Sequence, residues 1–340
     1  MSMKILFISP HYLWGGASIA NITIAKLLQE NGNVVVYNDE YFKYDEYNGV
    51  PINHLKFHSN KKEWKTKFLD YIQKNAYDVI IWEPAMAIFY YSLIKKIRKA
   101  GIKQLSIVHS LSLNKNLKSW LVDNLTSWAL SKMDSIVYVS NYTKDSWNKF
   151  PFIRSSKANQ YVIYNSVFIP KPSEVHSSIL GGKVKIGFVG RFSSEKQPDI
   201  FGLLSICQKY ELHAWGDGPL FSYMQKKFPL IHYHGLETDI TLIYSAFDIL
   251  VMTSKFENCP MVILEAKSRG IPCVAPRVGG IPEIITDYKE GRLFNNYNVP
   301  EIIDCIETIA DNYHFYSQNC IEKASRFTSF STYCKWKEIL

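Results

Sequence analysis

The sequence predicts two α/β domains in tandem, each a doubly wound parallel sheet. Three observations carry this. Short apolar runs alternate with longer amphipathic segments along the chain, the pattern of buried parallel strands covered by helices on both faces. The alternation breaks at Pro170-Lys171-Pro172-Ser173 and then restarts, as at an interdomain linker. The length of 340 residues suits about two domains.

In the first half, strands are expected at Lys4–Ser9, Val34–Tyr37, Asp78–Trp82, Gln104–Val108 and Ser135–Val139. Helices are expected at Ala17–Asn31 and Ala85–Ala100, which stop at Gly32 and Gly101, and at Leu117–Ser131. After the break, strands fall at Lys183–Val189, Glu211–Ala214, Ile231–Tyr233, Ile249–Met252 and Pro272–Ala275. Helices fall at Asp199–Lys209, Leu220–Phe228, Thr238–Ala246, Met261–Arg269 and Pro300–Asn312. The closing segment Ile321–Leu340 reads as one helix, with Phe330, Tyr333, Trp336 and Leu340 sharing a face. Sheets of this kind bind ligands beyond the carboxyl ends of their strands. With two domains, the expected site is the cleft between them.

Composition narrows the function class. An apolar fraction of 47% with 21% charged residues excludes wholesale disorder. The six cysteines all lie in the second half and form no C-x-x-C pair. Reduced thiols and a cytoplasmic location are expected, rather than zinc or a disulfide framework. The apolar N-terminal run is too short for a signal peptide. Glu83 and Pro84 interrupt the longest apolar region, Val79 to Ile94, so it fails as a membrane span. The N-x-T triplets at Asn21, Asn124 and Asn141 are read as chance. Residues 1–170 hold 21 Lys/Arg and 12 Asp/Glu, or +9, whereas residues 171–340 hold 18 and 19, or −1. The basic half is either a solvated helix surface or one drawn to an anionic membrane or phosphorylated acceptor.

The most informative stretch is Phe256-Glu257-Asn258-Cys259-Pro260-Met261-Val262-Ile263-Leu264-Glu265. Two carboxylates, Glu257 and Glu265, bracket a polar turn and a helix start. Pro260 suits a first helical turn. The free N–H groups there favour phosphate, which brings Asn258, Cys259, Pro260, Met261 and Val262 into the candidate site. Glu265, further into the helix, is placed to accept ribose hydroxyls, and Glu257 to face a sugar ring. Alone, E-x7-E is common by chance. Here Val278-Gly279-Gly280-Ile281-Pro282-Glu283 follows it.

Gly190-Arg191 and Lys196 follow the first strand of the second domain. Gly190 allows close backbone approach, and the two cations are spaced to clamp a diphosphate. Gly216-Asp217-Gly218-Pro219 is by itself a tight turn, or else a turn shaping a nucleotide pocket, with Tyr233-His234-Gly235 beside it. In the first domain, Trp14-Gly15-Gly16-Ala17 opens a helix but is not G-x-G-x-x-G. Gly15 and Gly16 still admit a phosphate or sugar. His109 stands at the carboxyl end of its strand, facing the expected cleft. No H-E-x-x-H, G-x-S-x-G, Walker or D-x-D motif is present. Arg and Lys, not a divalent ion, are therefore the expected counter-charge, with no metal site.

Jointly these pieces resemble the retaining glycosyltransferases of the GT-B superfamily, family 4 (glycosyl transferases group 1). The resemblance covers nearly the whole chain and is strongest from Lys183 to Phe294. It implies a GT-B architecture of two Rossmann-like domains. Residues 1–168 would bind the acceptor and 169–320 the nucleotide-sugar, with a helix at 321–340 crossing back to the first. It implies that Arg191 and Lys196 hold the donor diphosphate and support the leaving group, with Glu265 on the ribose and Glu257 on the donor sugar. Gly16 would pack against the diphosphate or sugar, and His109 would hydrogen-bond the transferred sugar. Gly190, Gly216 and Gly218 would line the donor pocket. The implied reaction is metal-independent and retaining, needs no cofactor, and is supported by electrostatic stabilisation of the departing nucleoside diphosphate. Two positions depart from the family pattern: Asn258-Cys259-Pro260 replaces an aromatic-glycine turn, and Ser166 replaces a glycine.

The expected partners are a UDP-sugar, with a GDP-sugar next, and a glycan or lipid-linked acceptor of lipopolysaccharide or capsule synthesis. No nucleic acid is expected, since no RNA or DNA motif accompanies the basic pI. Lys61–Phe68 and Leu117–Met133, which carries Trp120 and Trp128 near Lys115, Lys118 and Lys132, either lie peripherally on an anionic membrane or turn their aromatics to the core. The alternatives are a nucleotide-sugar epimerase on the same scaffold and a non-catalytic nucleotide- or carbohydrate-binding relative. The first lacks assignable acid/base residues. Intact Arg191, Lys196, Glu257 and Glu265 speak against the second.

Overall fold

The computed structural model describes residues 2–9, 15–39, 45–47, 49–54, 61–112, 116–168, 170, 175 and 182–340. The chain forms two compact units. One comprises Met1–Ser166 with Thr332–Leu340, the other Val167–Ser331. Most of the linker Pro170–Ser173, along with Trp14 and Lys115, lies outside the described residues.

The first unit runs β1 (Lys4–Ile8), α1 (Gly16–Glu30), β2 (Val34–Asn38), β3 (Glu46–Tyr47), β4 (Val50–Asn53), α2 (Lys61–Asn75), β5 (Val79–Trp82), α3 (Pro84–Lys99), β6 (Lys103–Val108), α4 (Leu117–Leu130), β7 (Ser135–Tyr138), α5 (Asn141–Trp147), α6 (Pro151–Arg154) and β8 (Asn159–Val162). Its sheet order is β3-β4-β2-β1-β5-β6-β7-β8. Every neighbouring pair is parallel except β3–β4. The interior strands β5 and β7 are buried at every position, which is why they read as mostly apolar runs. The core on one face gathers Leu6, Ile80, Trp82, Ile97, Ile136 and Tyr138.

The second unit continues β9 (Lys185–Val189), α7 (Pro198–Leu203), β10 (Glu211–Trp215), α8 (Phe221–Lys227), β11 (His232–Gly235), α9 (Ile240–Ser245), β12 (Ile249–Val251), α10 (Met261–Ser268), β13 (Cys273–Pro276), α11 (Ile281–Ile284), β14 (Gly291–Phe294), α12 (Val299–Asp311) and α13 (Tyr313–Ala324). The last helix, α14 (Ser329–Ile339), belongs from Thr332 onward to the first unit. All pairs in its sheet, ordered β11-β10-β9-β12-β13-β14, are parallel. All its strand carboxyl ends therefore lie along one edge. Leu212 and Ala214 of β10 point into the core with Phe188, Phe201 and Ile306.

Several sequence expectations are corrected. Ile321–Leu340 is two helices. Thr328 is extended between them, and its hydroxyl bonds the Ser325 carbonyl at 3.1 Å; such local bonds compete with the helix ladder. The buried face of α14 is Thr332, Trp336 and Ile339, while Phe330 is exposed. The helix expected at Asp199–Lys209 ends earlier, passing through a 3-10 turn at Leu204–Cys207 to a left-handed Gln208. In Lys61–Phe68, Phe68 packs in the core with its ring centroid 6.0 Å from that of Trp82. Trp128 also packs against the core, and its α4 neighbour Trp120 is exposed. Cys259, Cys273, Cys305 and Cys320 are buried thiols, Cys207 and Cys334 exposed ones, and none is paired.

Candidate functional site

In the second unit the candidate residues sit on loops leaving the carboxyl ends of β9, β10, β12 and β13. Adjacent strands bring these loops into contact. Gly190 N donates to Trp215 O at 3.1 Å, and Phe192 N to Asp217 O at 2.9 Å. Gly216 has φ +122, and a Cβ there would lie 2.0 Å from Gly190 O, so only glycine fits. Gly218 closes on Phe192 in the same way. Gly216-Asp217-Gly218 is thus a tight turn packed against the Arg191 loop.

The Arg191–Lys196 loop is stitched to the Glu257 loop. The buried Thr253 hydroxyl lies 2.8 Å from Lys196 O and 2.9 Å from Gln197 O, and Lys255 N donates to Glu195 O at 2.8 Å. This framework brings together Lys196 Nζ and Glu257 Oε1, which form a half-buried ion pair. Gly280 N donates to Glu257 O at 2.9 Å, and a Cβ on Gly279 (φ +59) would lie 1.9 Å from that oxygen. The β13 glycine turn therefore fixes the Glu257 backbone. Arg191 is exposed at the same sheet edge.

Pro260 is the N-cap of α10 rather than its first residue, with φ −68 and ψ 122. Cys259 and Met261 are buried, Asn258 and Val262 half-buried. The helix is anchored from below. Lys267 Nζ, 1% exposed, donates to Glu290 Oε2 at 2.5 Å and to Ile284 O, a buried pair whose carboxylate also accepts from Thr286. Glu265, one turn into α10, accepts from the Tyr244 hydroxyl at 2.6 Å through Oε2. Burial pushes its pKa up, against the Tyr244 hydrogen bond and the nearby Arg269 charge.

His234 takes a place the sequence did not foretell. Its ring stacks on Trp215 at 4.3 Å, and its Nε2 lies 3.0 Å from His213 Nδ1. The other His213 nitrogen meets Glu211 at 2.8 Å. Burial lowers the pKa of both rings. These side chains alternate with Leu212 and Ala214 and so occupy the opposite sheet face. His234 is thus an exposed ring stacked on Trp215.

In the first unit, Gly15 is the N-cap of α1 with extended backbone, and Gly16 its first residue. Among the described residues, a Cβ at either would meet nothing within 4 Å. His109, beyond β6, has Nε2 2.7 Å from Asn21 Oδ1. Asn21 in turn donates through Nδ2 to Glu83 Oε1 at 3.0 Å. With Asn21 Oδ1 as acceptor, His109 donates from Nε2. Sequence reasoning missed Asn21, Glu83, Thr253 and Tyr244. Asn21 left one signal: a polar residue on the buried face of an amphipathic helix.

Among the described residues no cluster of His, Cys, Asp or Glu is arranged to hold a metal, and no helix is long and apolar enough to cross a membrane.

Comparison with known proteins agrees with this architecture. Residues 14–168 match the family described as Glycosyltransferase Family 4, and residues 183–312 the one described as Glycosyl transferases group 1. Among curated relatives, the sulfoquinovosyl transferase SQD2 of Arabidopsis thaliana is 34% identical over 133 residues, 37% of this chain and 26% of that protein. The O-antigen biosynthesis glycosyltransferase WbnH of Escherichia coli is 29% identical over 160 residues, 46% of each. The matches thus span less than half of these relatives. Among solved structures, Anabaena Alr3699/HepE in complex with UDP-glucose superposes with a TM-score of 0.81, covering 99% of both chains at 19% identity. At that identity the likeness establishes the GT-B fold.

Proposed function

We propose that this chain, which belongs to the family 4 (group 1) glycosyltransferases of GT-B fold, transfers a hexose or N-acetylhexosamine from a nucleoside-diphosphate sugar to a glycan or glycolipid acceptor in cell-surface polysaccharide synthesis. The observation that carries this reading is the meeting of Arg191, the Lys196–Glu257 pair and Glu265 on loops and a helix at one sheet edge. Diphosphate, sugar and ribose each find a chemically matched group there: cations for phosphate oxygens, carboxylates for hydroxyls. A UDP-sugar is the favoured donor and a GDP-sugar the next. UDP-glucose in the HepE complex supports the first donor, and the O-antigen role in the name of WbnH supports the surface-polysaccharide acceptor.

In this reading the acceptor oxygen bonds to C1 of the donor sugar as the C1–O bond to phosphate breaks. The electron pair leaves with the diphosphate, which takes up the acceptor proton. Attack from the leaving-group face retains the anomeric configuration. Arg191 and Lys196 stabilise the charge on the departing diphosphate, without a metal ion. Glu257 orients sugar hydroxyls, and His109, held by Asn21 and Glu83, hydrogen-bonds the transferred sugar.

The acceptor reading is of a lipid-linked or membrane-proximal glycan, reached by peripheral contact with the cytoplasmic face of an anionic membrane. It is supported by the +9 charge of residues 1–170 and by α4, which exposes Leu117, Trp120, Leu121, Val122 and Leu125 beside Lys118. The test of the transfer reading is release of nucleoside diphosphate from UDP-glucose, UDP-N-acetylglucosamine and GDP-mannose in the presence of lipid-linked glycan. Turnover of one donor that the Arg191→Ala variant loses supports it. Equal turnover by that variant contradicts it.

A further inference from the structure

Glu265 is not held by its own helix. Its carboxylate is tied to α9, where Tyr244 is fully buried. Asp239 caps that short helix, its Oδ1 accepting from Thr241 N at 2.8 Å. The Tyr244 ring is wedged against Phe247, centroids 5.7 Å apart, with the Arg269 guanidinium 5.4 Å from its centroid. Two acceptors lie near its hydroxyl: Glu265 Oε2 at 2.6 Å and Val262 O at 3.3 Å. The single proton belongs on the shorter, charge-assisted bond.

We infer that Tyr244 is a positioning residue for donor binding, which fixes Glu265 through Oε2 and leaves Oε1 to take the nucleotide's ribose hydroxyls. This rests on the reading of Glu265 as the ribose ligand. The hydroxyl, bonded to Oε2, favours the ionised carboxyl, which is acceptor-only and so can serve two hydroxyl donors. Burial opposes ionisation of Glu265, and the groups that counter it are Tyr244 from α9 and Arg269 at the end of α10. The phenol itself stays protonated, because burial raises its pKa well above the ordinary value.

Tyr244→Phe keeps the ring and its packing and removes only the hydroxyl. The experiment is calorimetric titration of UDP, with GDP in parallel, into wild type, Tyr244→Phe and Glu265→Gln between pH 5.5 and 8.5. Melting temperatures of the unliganded proteins check folding. Tyr244→Phe is expected to weaken binding about tenfold at the acid end, the size of one charge-assisted hydrogen bond. Its acid limb should sit at higher pH than the wild type's, and the gap should narrow towards pH 8.5 as Glu265 ionises. A merely structural tyrosine would weaken binding equally at every pH, and that result overturns the proposal. So does a Tyr244→Phe profile that overlays the wild type while Glu265→Gln binds weakly. Undiminished binding by Glu265→Gln, or no binding of either nucleotide to wild type, overturns the ribose reading beneath it.

Discussion

Lys196 and Glu257, 61 residues apart in sequence, are joined through Nζ and Oε1. The pair neutralises in advance the cation that would meet the donor's diphosphate. On this account the two partners have separable roles. Lys196→Ala removes the phosphate contact and should weaken UDP binding about tenfold or more, with a matching loss in kcat/KM. Glu257→Gln keeps the shape and leaves Lys196 for phosphate. Nucleotide affinity should hold or rise while turnover falls by roughly two orders of magnitude. Titration calorimetry and a steady-state assay on both variants separate the effects; parallel losses in both would contradict the assignment.

The glycines divide into two kinds. Gly279 has φ +59, and a Cβ there would collide with Glu257 O. Gly279→Ala should cost about 3 kcal/mol and lower the melting temperature by roughly 6–12 °C. Gly15 has extended backbone and, among the described residues, open space around its Cβ. Gly15→Ala should leave the melting temperature unchanged yet impair transfer, if the space is kept for the donor. Thermal melts paired with transfer assays check both. A destabilised Gly15→Ala would place the requirement in the fold instead.

Most of the fold was legible because buried parallel strands are apolar throughout, so β1, β5, β7 and β9 announced themselves. β8, Asn-Gln-Tyr-Val, is a half-exposed edge strand whose polar residues hide the pattern. β3 and β4 were hidden by their length and by Pro51. The placement of the second unit's candidate residues was legible from spacing, since strand ends and helix starts fix where Arg191, Lys196, Glu257 and Glu265 fall. Their supports were not. Thr253, Tyr244, Asn21 and Glu83 act through tertiary hydrogen bonds between segments distant in sequence, and a local pattern carries no trace of those.

Glu265 should trade stability for binding. Its pKa is raised in the fold, so its contribution to stability is full below the unfolded carboxyl pKa and lost as pH rises through the folded value. Glu265→Gln retains an acceptor for Tyr244 without the charge. At pH 7.5 the unliganded variant should melt higher than wild type, and the difference should shrink as pH falls toward 4.5. Its stabilisation by UDP should be lost. A lower melting temperature at pH 7.5 would contradict the burial argument.

The exposed apolar face of α4 gives the membrane reading a specific test. Leu121→Ser with Leu125→Ser replaces two exposed side chains and should leave melting temperature and UDP binding unchanged. Sedimentation with vesicles containing phosphatidylglycerol should fall several-fold. Equal sedimentation of wild type with neutral and anionic vesicles would remove the membrane proposal.

The central claim, a nucleoside-diphosphate-sugar site built on Arg191, Lys196 and Glu265, is tested most directly by a thermal-shift panel. UDP, GDP, ADP and CMP are compared on wild type and Arg191→Ala. A ligand that binds only the folded state raises the melting temperature by mass action. The account predicts a shift with one nucleoside diphosphate, UDP foremost, that Arg191→Ala abolishes. A shift that survives in Arg191→Ala, or no shift with any of the four, would contradict it.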